Sequence, residues 1–184
     1  MRNFFTDWLS RKHHYGRYRI VKGMVKDKGK NLLDIGCGRP SASMDDGSFL
    51  RYLGYGQGVD IRDMKVEFKF RKASILDLPF RNKSFDAVTA IEVIEHVDDP
   101  DLALRNVKRV LKKNATFVMT TPNNNLLFTV VWSIWQRFIG KEWRHAHVKI
   151  LKKEEWLSLL EKHFRIVKVV DYWHVNLIIK MVNK

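Results

Sequence analysis

Short apolar runs alternate with amphipathic stretches along this 184-residue chain. The apolar runs predict seven strands, at 32–35, "GQGVDI", "EFKFRKASI", "DAVTAIE", "ATFVMTTP" and, to close the chain, near 165–172 and 175–182. Apolar residues at helical spacing predict helices over roughly 18–25, 46–53, 100–112 and 153–162. The third of these helices begins with Pro100, which suits the first turn of a helix.

The order of these elements predicts the fold class. Strands that alternate with helices at this spacing are typical of an α/β protein whose mostly parallel sheet carries helices on both faces. No internal repeat or low-complexity tract divides the sequence, and its length is usual for one domain. We therefore predict a single domain over 1–184, with a basic helical segment at 1–29.

The net charge of +14 is concentrated at the two ends of the chain. Residues 1–31 hold nine Lys or Arg and two acidic residues, and residues 132–184 hold eleven and five. Such ends could attract nucleic acid, an anionic lipid surface or an anionic small substrate. Solvated lysines that only keep the protein in solution would explain the same charge.

Cysteine usage and hydropathy indicate the compartment. The single cysteine, Cys37, cannot form an internal disulfide, so a reducing compartment is expected. The N-terminus lacks the apolar stretch of a signal peptide, and the longest apolar stretch, 126–135, is too short to cross a bilayer. These features predict a cytoplasmic protein without a transmembrane segment.

The clearest chemical signal is the sequence "LLDIGCGRP" at 32–40. Gly36 and Gly38 follow the first strand, where the lack of a Cβ lets the backbone approach a ligand closely. Asp34 precedes them, and a carboxylate there suits a positively charged ligand and repels a pyrophosphate. The pattern therefore favours S-adenosylmethionine, with its sulfonium and ammonium groups, over NAD. Cys37 is interpreted as a small buried residue that fills the turn.

Further acidic residues stand near the ends of the next predicted strands. Asp60 ends the second strand, where a carboxylate can accept hydrogen bonds from both ribose hydroxyls. Asp77 follows the third strand and could accept from an adenine amino group, with Ile61 and Leu78 on either side of the ring. Asp86 begins the fourth strand. Each alone could be a solvated loop acid or a helix cap, but in order they predict a ligand site along one sheet.

As an ordered set, these segments resemble the class I S-adenosylmethionine-dependent methyltransferases, in particular the small single-domain ones. The resemblance covers roughly 30–170 and rests on "LLDIGCG", "GVDI", "ASILDLPFRNKSFDAV", "IEVIEHVDDP" and "TTPN". It implies a Rossmann-like three-layer sandwich with a seven-stranded sheet whose last strand is antiparallel. It also implies that the cofactor is bound by Asp34, Gly36, Cys37, Gly38, Asp60, Ile61, Asp77, Leu78 and Ile91. Pro40 departs from the family pattern, because many members have a third glycine there.

An acceptor hydroxyl would also need a general base or a metal ion. Glu92, Glu95 and His96 are spaced i, i+3, i+4, which would place them on one face of a helix. Together with His147 they resemble the magnesium or manganese site of two branches of this superfamily, the quinone-biosynthesis O-methyltransferases and the methyltransferases that modify the terminal 2′-hydroxyl of small RNAs. Alternatively, His96 or His147 acts as a base without a metal, or the protein only aligns donor and acceptor.

The segment 123–151 is predicted to cover the acceptor, as the corresponding segment usually does in this family. It carries five large aromatic residues with basic residues beside them: Phe128, Trp132, Trp135, Phe138 and Trp143. Such a cover suits an apolar or flat acceptor, such as a quinone precursor, a lipid or an exposed base, and the basic residues suit an anionic one. The same residues could instead close the core, form a dimer interface or lie at a membrane surface.

Three hypotheses on function follow from these patterns. The first is O- or N-methylation of a small molecule by in-line methyl transfer. The second is an RNA methyltransferase, which would bind RNA tightly and with a strong salt dependence. The third is a cofactor-binding protein without activity, which the departure at Pro40 favours.

Overall fold

The computed structural model describes residues 4–25, 31–38, 48–130 and 151–184. The strands are β1 (Leu32–Ile35), β2 (Gln57–Asp60), β3 (Lys69–Lys72), β4 (Phe85–Ile91), β5 (Leu111–Pro122), β6 (Phe164–Tyr172) and β7 (Asn176–Asn183). The helices are α1 (Phe4–Val25), α2 (Phe49–Leu53), α3 (Pro100–Val110) and α4 (Lys153–Glu161), with a 3-10 helix at Ile94–His96. Residues 126–130 are also helical. None of the described helices is long and apolar enough to span a membrane.

The seven strands form one sheet in the order β3-β2-β1-β4-β5-β7-β6. The pairs among β1 to β5 are parallel, and β7 runs antiparallel to both β5 and β6. This confirms the predicted α/β class, the seven strands and the antiparallel last strand. The ends of β1 to β5 therefore share one edge of the sheet, which we call the carboxyl edge. The β6–β7 turn lies at the same edge, because Asn176 pairs with Pro122 at the end of β5.

The sheet is covered on both faces, as a three-layer sandwich requires. Leu33 of β1 lies in a core cluster with α3 and α4, to which Trp156 belongs. Leu32, the preceding residue, lies in a second cluster with α1 and α2, to which Phe49 belongs. Successive residues of β1 thus face opposite layers. Burial on both faces explains why this strand is a nearly continuous apolar run.

Helix α1 begins at Phe4, within the helical segment predicted at 1–29 but well before residue 18, where the apolar spacing begins. Its second half buries Tyr18, Val21 and Val25, whose helical spacing carried the prediction. The first half is held by a distant contact, since the Tyr172 hydroxyl of β6 donates to the His13 carbonyl oxygen at 3.2 Å. The two residues are 159 positions apart in the chain, so no local pattern could indicate this contact.

Two further elements are shorter than predicted. β3 covers only Lys69–Lys72, because its partner strand β2 ends at Asp60, the residue that pairs with Lys72. α3 ends at Val110 because Leu111 already pairs with Phe85 in the sheet. In both cases the pairing with a distant strand sets where the element ends, which the local residue pattern does not indicate.

Candidate active site

The turn after β1 lies at the carboxyl edge and is held against β2. Gly36 and Gly38 adopt φ values of +66° and +59°, a region that residues with a Cβ enter only at a cost. The N–H groups of Gly36 and Cys37 donate to the Val59 carbonyl oxygen at 2.8 and 3.1 Å. The turn therefore presents backbone without side chains at the tip of β1, as the glycine pattern predicted.

We expect Gly36→Ala to reduce the free energy of unfolding by about 2–3 kcal/mol. A Cβ at this position would collide with the Val93 side chain, and φ is positive as well. Gly54→Ala is the matched control, because Gly54 has φ +88° but the described part of the chain places no atom within 4 Å of its Cβ position. In this control variant the free energy of unfolding should decrease by only about 1 kcal/mol. Urea denaturation followed by circular dichroism measures both, and equal losses would show that Val93 does not constrain the turn.

Cys37 fills this turn, as predicted. Its side chain is buried, and it packs over Gly58, where an added Cβ would meet the sulfur atom. Burial raises the pKa of the thiol above its usual range, and the charges of Asp34 and Asp60 raise it further. The thiol is therefore protonated at neutral pH and unsuited to act as a nucleophile.

Asp60 ends β2 beside the glycine turn. Its Oδ2 accepts from the Gly38 N–H at 3.1 Å, and its Oδ1 accepts from the Arg62 N–H at 2.9 Å. The exposed Arg62 guanidinium adds a hydrogen bond from Nε at 3.1 Å. Burial by itself would raise the pKa of Asp60, but the bonds and charge of Arg62 and the Gly38 bond outweigh it and lower the pKa. Asp60 is therefore ionised at neutral pH.

Asp34 lies near the end of β1 and is buried between neighbouring strands. Thr89 Oγ1 of β4 donates to Asp34 Oδ1 at 2.6 Å. Burial raises the pKa of Asp34 to about 7, against the effect of the Thr89 bond and with a further contribution from Asp60. This carboxyl is half ionised near neutral pH, so a cationic ligand at the turn would favour its charged form.

The residues predicted beside an adenine ring differ in accessibility. The Ile61 side chain, directly after β2, is 67% exposed, whereas Leu78 is buried in the cluster with α3 and α4. Asp77 is exposed in a tight turn, where its N–H donates to the Ser74 carbonyl oxygen at 3.1 Å. Ile91, the last residue of β4, is partly buried. Ile61 thus offers an apolar surface to a ring and Leu78 almost none, and the binding roles of these residues stay predictions.

Asp86 does not belong to the row of acids at the carboxyl edge. Because β4 begins at Phe85, Asp86 lies at the amino end of the strand, on the edge opposite to Asp60. Its carboxylate pairs with Lys112 Nζ at 2.8 Å. The prediction that Asp86 shares a ligand site with the other acids at strand ends was wrong, because the residue pattern located the ends of the strands without distinguishing the amino from the carboxyl end.

The predicted metal ligands do not share a helical face. Glu92 has φ +54° and precedes the 3-10 helix at Ile94–His96, so no α-helix carries the i, i+3, i+4 spacing. Glu95 is fully buried, and burial together with the charge of Glu92 raises its pKa, whereas His96 is exposed. Within the described ranges, no three His, Cys, Asp or Glu side chains lie close enough to hold a metal ion. These three residues therefore do not fit a metal site.

Several predicted features lie outside the described residues. They are Pro40, His147 and most of the aromatic acceptor cover, namely Trp132, Trp135, Phe138 and Trp143. Phe128 is described and is buried. The roles of His147 and of this cover stay predictions.

A polar network that was not predicted from the sequence holds Glu92. The Thr120 hydroxyl donates to Glu92 Oε1 at 2.7 Å, and Arg17 Nη1 of α1 lies 3.3 Å from the same oxygen. Asn176 Nδ2 donates to both carboxylate oxygens at 3.1 Å. The network joins α1, β4, β5 and β7 at the carboxyl edge. Thr120 and Asn176 are polar residues near the ends of otherwise apolar strands, and this is the one feature of the sequence that could have indicated the network.

Two histidines of α1 adjoin this network in the neutral form. His14 Nδ1 lies 2.9 Å from Arg17 Nη2, and the His13 and Tyr172 ring centroids are 5.1 Å apart. Burial lowers the pKa of His13 to about 4 and that of His14 to about 3, and the charge of Arg17 lowers both further. Since neither imidazole is protonated at pH 7, Arg17 is the cation that balances Glu92.

Comparison with protein families matches the central part of the chain. A family model described as a methyltransferase domain matches residues 33–119, from β1 into β5. A demethylmenaquinone methyltransferase from Staphylococcus aureus strain MRSA252 is 26% identical over 159 residues, which cover 79% of this chain and 66% of that protein. The chain thus matches just under two thirds of the length of this curated relative.

Solved structures share the fold over nearly the whole chain. The YcgJ protein from Bacillus subtilis has a TM-score of 0.70 at 16% identity, with 93% of this chain and 99% of that chain covered. A possible histamine N-methyltransferase from Thermotoga maritima has a TM-score of 0.67 at 20% identity, with 98% and 97% covered. At these identities the likeness shows the fold alone.

Proposed function

We propose that the chain is a class I S-adenosylmethionine-dependent methyltransferase, which the match of residues 33–119 to a methyltransferase domain supports, and that it transfers a methyl group from S-adenosylmethionine to a small-molecule acceptor. The main support for the proposal is that the ends of β1 and β2 lie side by side at the carboxyl edge. The glycine turn of β1 and the carboxylate of β2 are joined there by the 3.1 Å bond between Gly38 and Asp60. A nucleoside with a ribose requires accessible backbone beside an ionised carboxylate, and the turn and Asp60 supply both.

The described residues at this edge fit such a donor. Asp60 would accept hydrogen bonds from the ribose hydroxyls, and Ile61 would cover one face of the adenine. The turn 36–38 would lie against the amino-acid end of the donor, where no Cβ would block a close approach. Asp34 would supply negative charge near the ammonium and sulfonium groups, which explains an acid at a buried position that is costly for a carboxylate.

In the proposed reaction the acceptor nucleophile attacks the methyl carbon in line with the bond to sulfur. That bond breaks as the new bond forms, and S-adenosylhomocysteine leaves with the electron pair. Because the sulfonium already activates the methyl group, the protein mainly has to align the acceptor and exclude water. The proton of the acceptor passes to a base or to solvent.

The acceptor would lie on the β4 side of the glycine turn. Val93 packs on Gly36 there, and Glu92 is held in place by three other elements. A carboxylate fixed in this way can orient a polar group of the acceptor. His96 and His147 stay predicted bases; His96 is exposed after the 3-10 helix that follows this site.

An apolar small molecule is the class of acceptor that we propose. The Staphylococcus aureus relative is named for demethylmenaquinone, and an apolar acceptor also suits the aromatic residues of 123–151. Because the chain spans 66% of that relative, the relative supports the class of acceptor and not its identity. Identification of the methylated product shows whether the acceptor atom is oxygen or nitrogen.

Calorimetric titration of the full chain with S-adenosylhomocysteine, and separately with NAD, tests the proposed donor. We expect saturable binding of S-adenosylhomocysteine at one site and none of NAD, and the reverse result would overturn the assignment. Methyl transfer is then assayed by mass spectrometry with a panel of quinols, phenols and amines. Donor binding without any methylated product would favour a non-catalytic protein, and tight, salt-dependent RNA binding would favour the RNA alternative.

A further inference from the structure

Arg17 of α1 places a buried guanidinium at the carboxyl edge. Its Nη1 lies 3.3 Å from Glu92 Oε1, and its Nη2 lies 2.9 Å from His14 Nδ1. The third nitrogen, Nε, is shielded from solvent and has no hydrogen-bond partner among the described residues. A buried donor without a partner is costly and rare in native proteins, so this N–H group indicates a place where a ligand supplies the acceptor.

The register of the sheet places Arg17 close to the glycine turn. β1 and β4 are paired up to Ile35, so the turn and Glu92 leave the sheet side by side, about 5 Å apart, the usual distance between strands. A Cβ on Gly36 would meet the side chain of Val93, the residue after Glu92, so the two segments are in contact. Glu92 is 25% exposed, so a ligand at this edge can reach the ion pair from the side of Glu92.

The proposed donor has a carboxylate that still needs a cation. In the sheet, β1 lies between β2 and β4. A donor whose ribose is bound by Asp60 at the end of β2 and which crosses the turn has its amino-acid end on the β4 side. The residues assigned to the donor so far offer backbone, apolar surface or acidic groups, and none of them carries a positive charge. Arg17 is a cation on the side where the donor carboxylate would lie.

We propose that Arg17 binds the carboxylate of S-adenosylmethionine, which would accept a hydrogen bond from the Nε N–H group while Nη1 stays with Glu92. The inference rests on the proposed function, because it adds a residue of α1 to the same donor site. An arginine can serve two carboxylates in this way, because its planar guanidinium directs N–H groups to more than one side. The matched methyltransferase domain begins at residue 33, so it does not include this residue.

The charges around the amino-acid end of the donor would then balance. Arg17, the ammonium and the sulfonium supply three positive charges, and Glu92, Asp34 and the donor carboxylate supply three negative ones. Asp34 has a pKa of about 7 because it is buried, and the cations of the donor would favour its ionised form. Without Arg17, the donor carboxylate would lie near two other carboxylates with no cation of the protein beside it, and like charges repel.

Calorimetric titration of the full chain with two ligands at about pH 8 tests the proposal without an acceptor. The ligands are S-adenosylhomocysteine and its decarboxylated analogue, which keeps the amine and lacks only the carboxylate. We expect the wild type to bind S-adenosylhomocysteine about thirtyfold more tightly than the analogue. Arg17→Met should reduce this preference to about threefold or less, mainly by weakening the binding of S-adenosylhomocysteine. Arg19→Met is the matched control, because it removes an exposed cation of the same helix and should keep the preference.

The proposal is overturned if Arg17→Met keeps the preference of the wild type, or if it weakens the binding of both ligands equally. Circular dichroism shows whether this variant is folded. If it is not, Arg17→Lys is measured instead. Lysine has a single nitrogen, which Glu92 engages, so the preference should fall at least about threefold, and an unchanged preference overturns the proposal.

The wild type by itself separates this inference from the proposed function. Equal binding of both ligands would overturn the role of Arg17 and leave S-adenosylmethionine as the proposed donor. Binding of neither ligand would overturn the proposed function and this inference with it.

Discussion

Asp60→Ala is expected to weaken S-adenosylhomocysteine binding about a hundredfold. The carboxylate of Asp60 would accept two charge-assisted hydrogen bonds from the ribose hydroxyls, each worth about 1.5–3 kcal/mol. Part of this is offset in the wild type, because the exposed Arg62 guanidinium must first release Asp60, so a net loss of about 3 kcal/mol is expected. The dissociation constant is measured by calorimetry at about pH 8, where Asp34 is ionised as well.

Two variants serve as controls for this measurement. Asp86→Ala removes a carboxylate at the amino end of β4, and it should change the dissociation constant by less than about twofold. Arg62→Ala removes the competing guanidinium and keeps Asp60, so binding should be unchanged or about threefold tighter. If Asp60→Ala and Asp86→Ala bind the ligand equally well, Asp60 does not contact the donor and the proposed donor position is wrong.

Asp34→Asn is expected to raise the free energy of unfolding by about 3–4 kcal/mol at about pH 8. Burial raises the pKa of Asp34 to about 7 in the folded protein, whereas an aspartate in an unfolded chain has a pKa of about 3.9. Between these values the folded state binds more protons, so wild-type stability falls as the pH rises through the interval. Asparagine does not titrate and avoids this loss. Urea denaturation should show nearly equal stabilities at about pH 4 and the largest difference at about pH 8.

The same substitution should weaken donor binding, although it stabilises the fold. A cationic donor favours ionised Asp34, so wild-type affinity should decrease below about pH 7. The Asp34→Asn variant should lack this decrease and bind about tenfold more weakly at pH 8. Thr89→Val removes the hydrogen bond that favours ionised Asp34, so the decrease should begin at a higher pH. Identical pH profiles of affinity in the wild type and Asp34→Asn would show that Asp34 does not interact with the donor charge.

The features that sequence patterns predicted well are those that depend on neighbouring residues. The strand Leu32–Ile35 is buried on both faces of the sheet, so it had to be a continuous apolar run. Gly36 and Gly38 have positive φ, and Gly36 has no room for a Cβ, so glycine is required at these positions by the local backbone. The order of such segments predicted a mostly parallel α/β sheet, and the resemblance to the methyltransferases implied seven strands with an antiparallel last strand, whereas the strand order was not predicted.

The predictions that were wrong or incomplete depend on contacts between distant segments. Glu92, Glu95 and His96 had a spacing that an α-helix would bring together, but the 3-10 helix begins only at Ile94 and Glu92 is held by other strands. In the sequence, Asp86 and Asp60 both stand at the end of a predicted strand. The direction of β4 places Asp86 at the opposite edge of the sheet from Asp60.

By itself, the sequence determined the α/β class, the glycine turn and the acid at the tip of β2, because each of these depends on short local patterns of residues. Only the tertiary structure decided that Arg17 balances Glu92 and that Arg62 pairs with Asp60. Hydrogen bonding and burial at the carboxyl edge depend on which strands and helices end there. That is settled by packing across the whole chain and not by any local pattern.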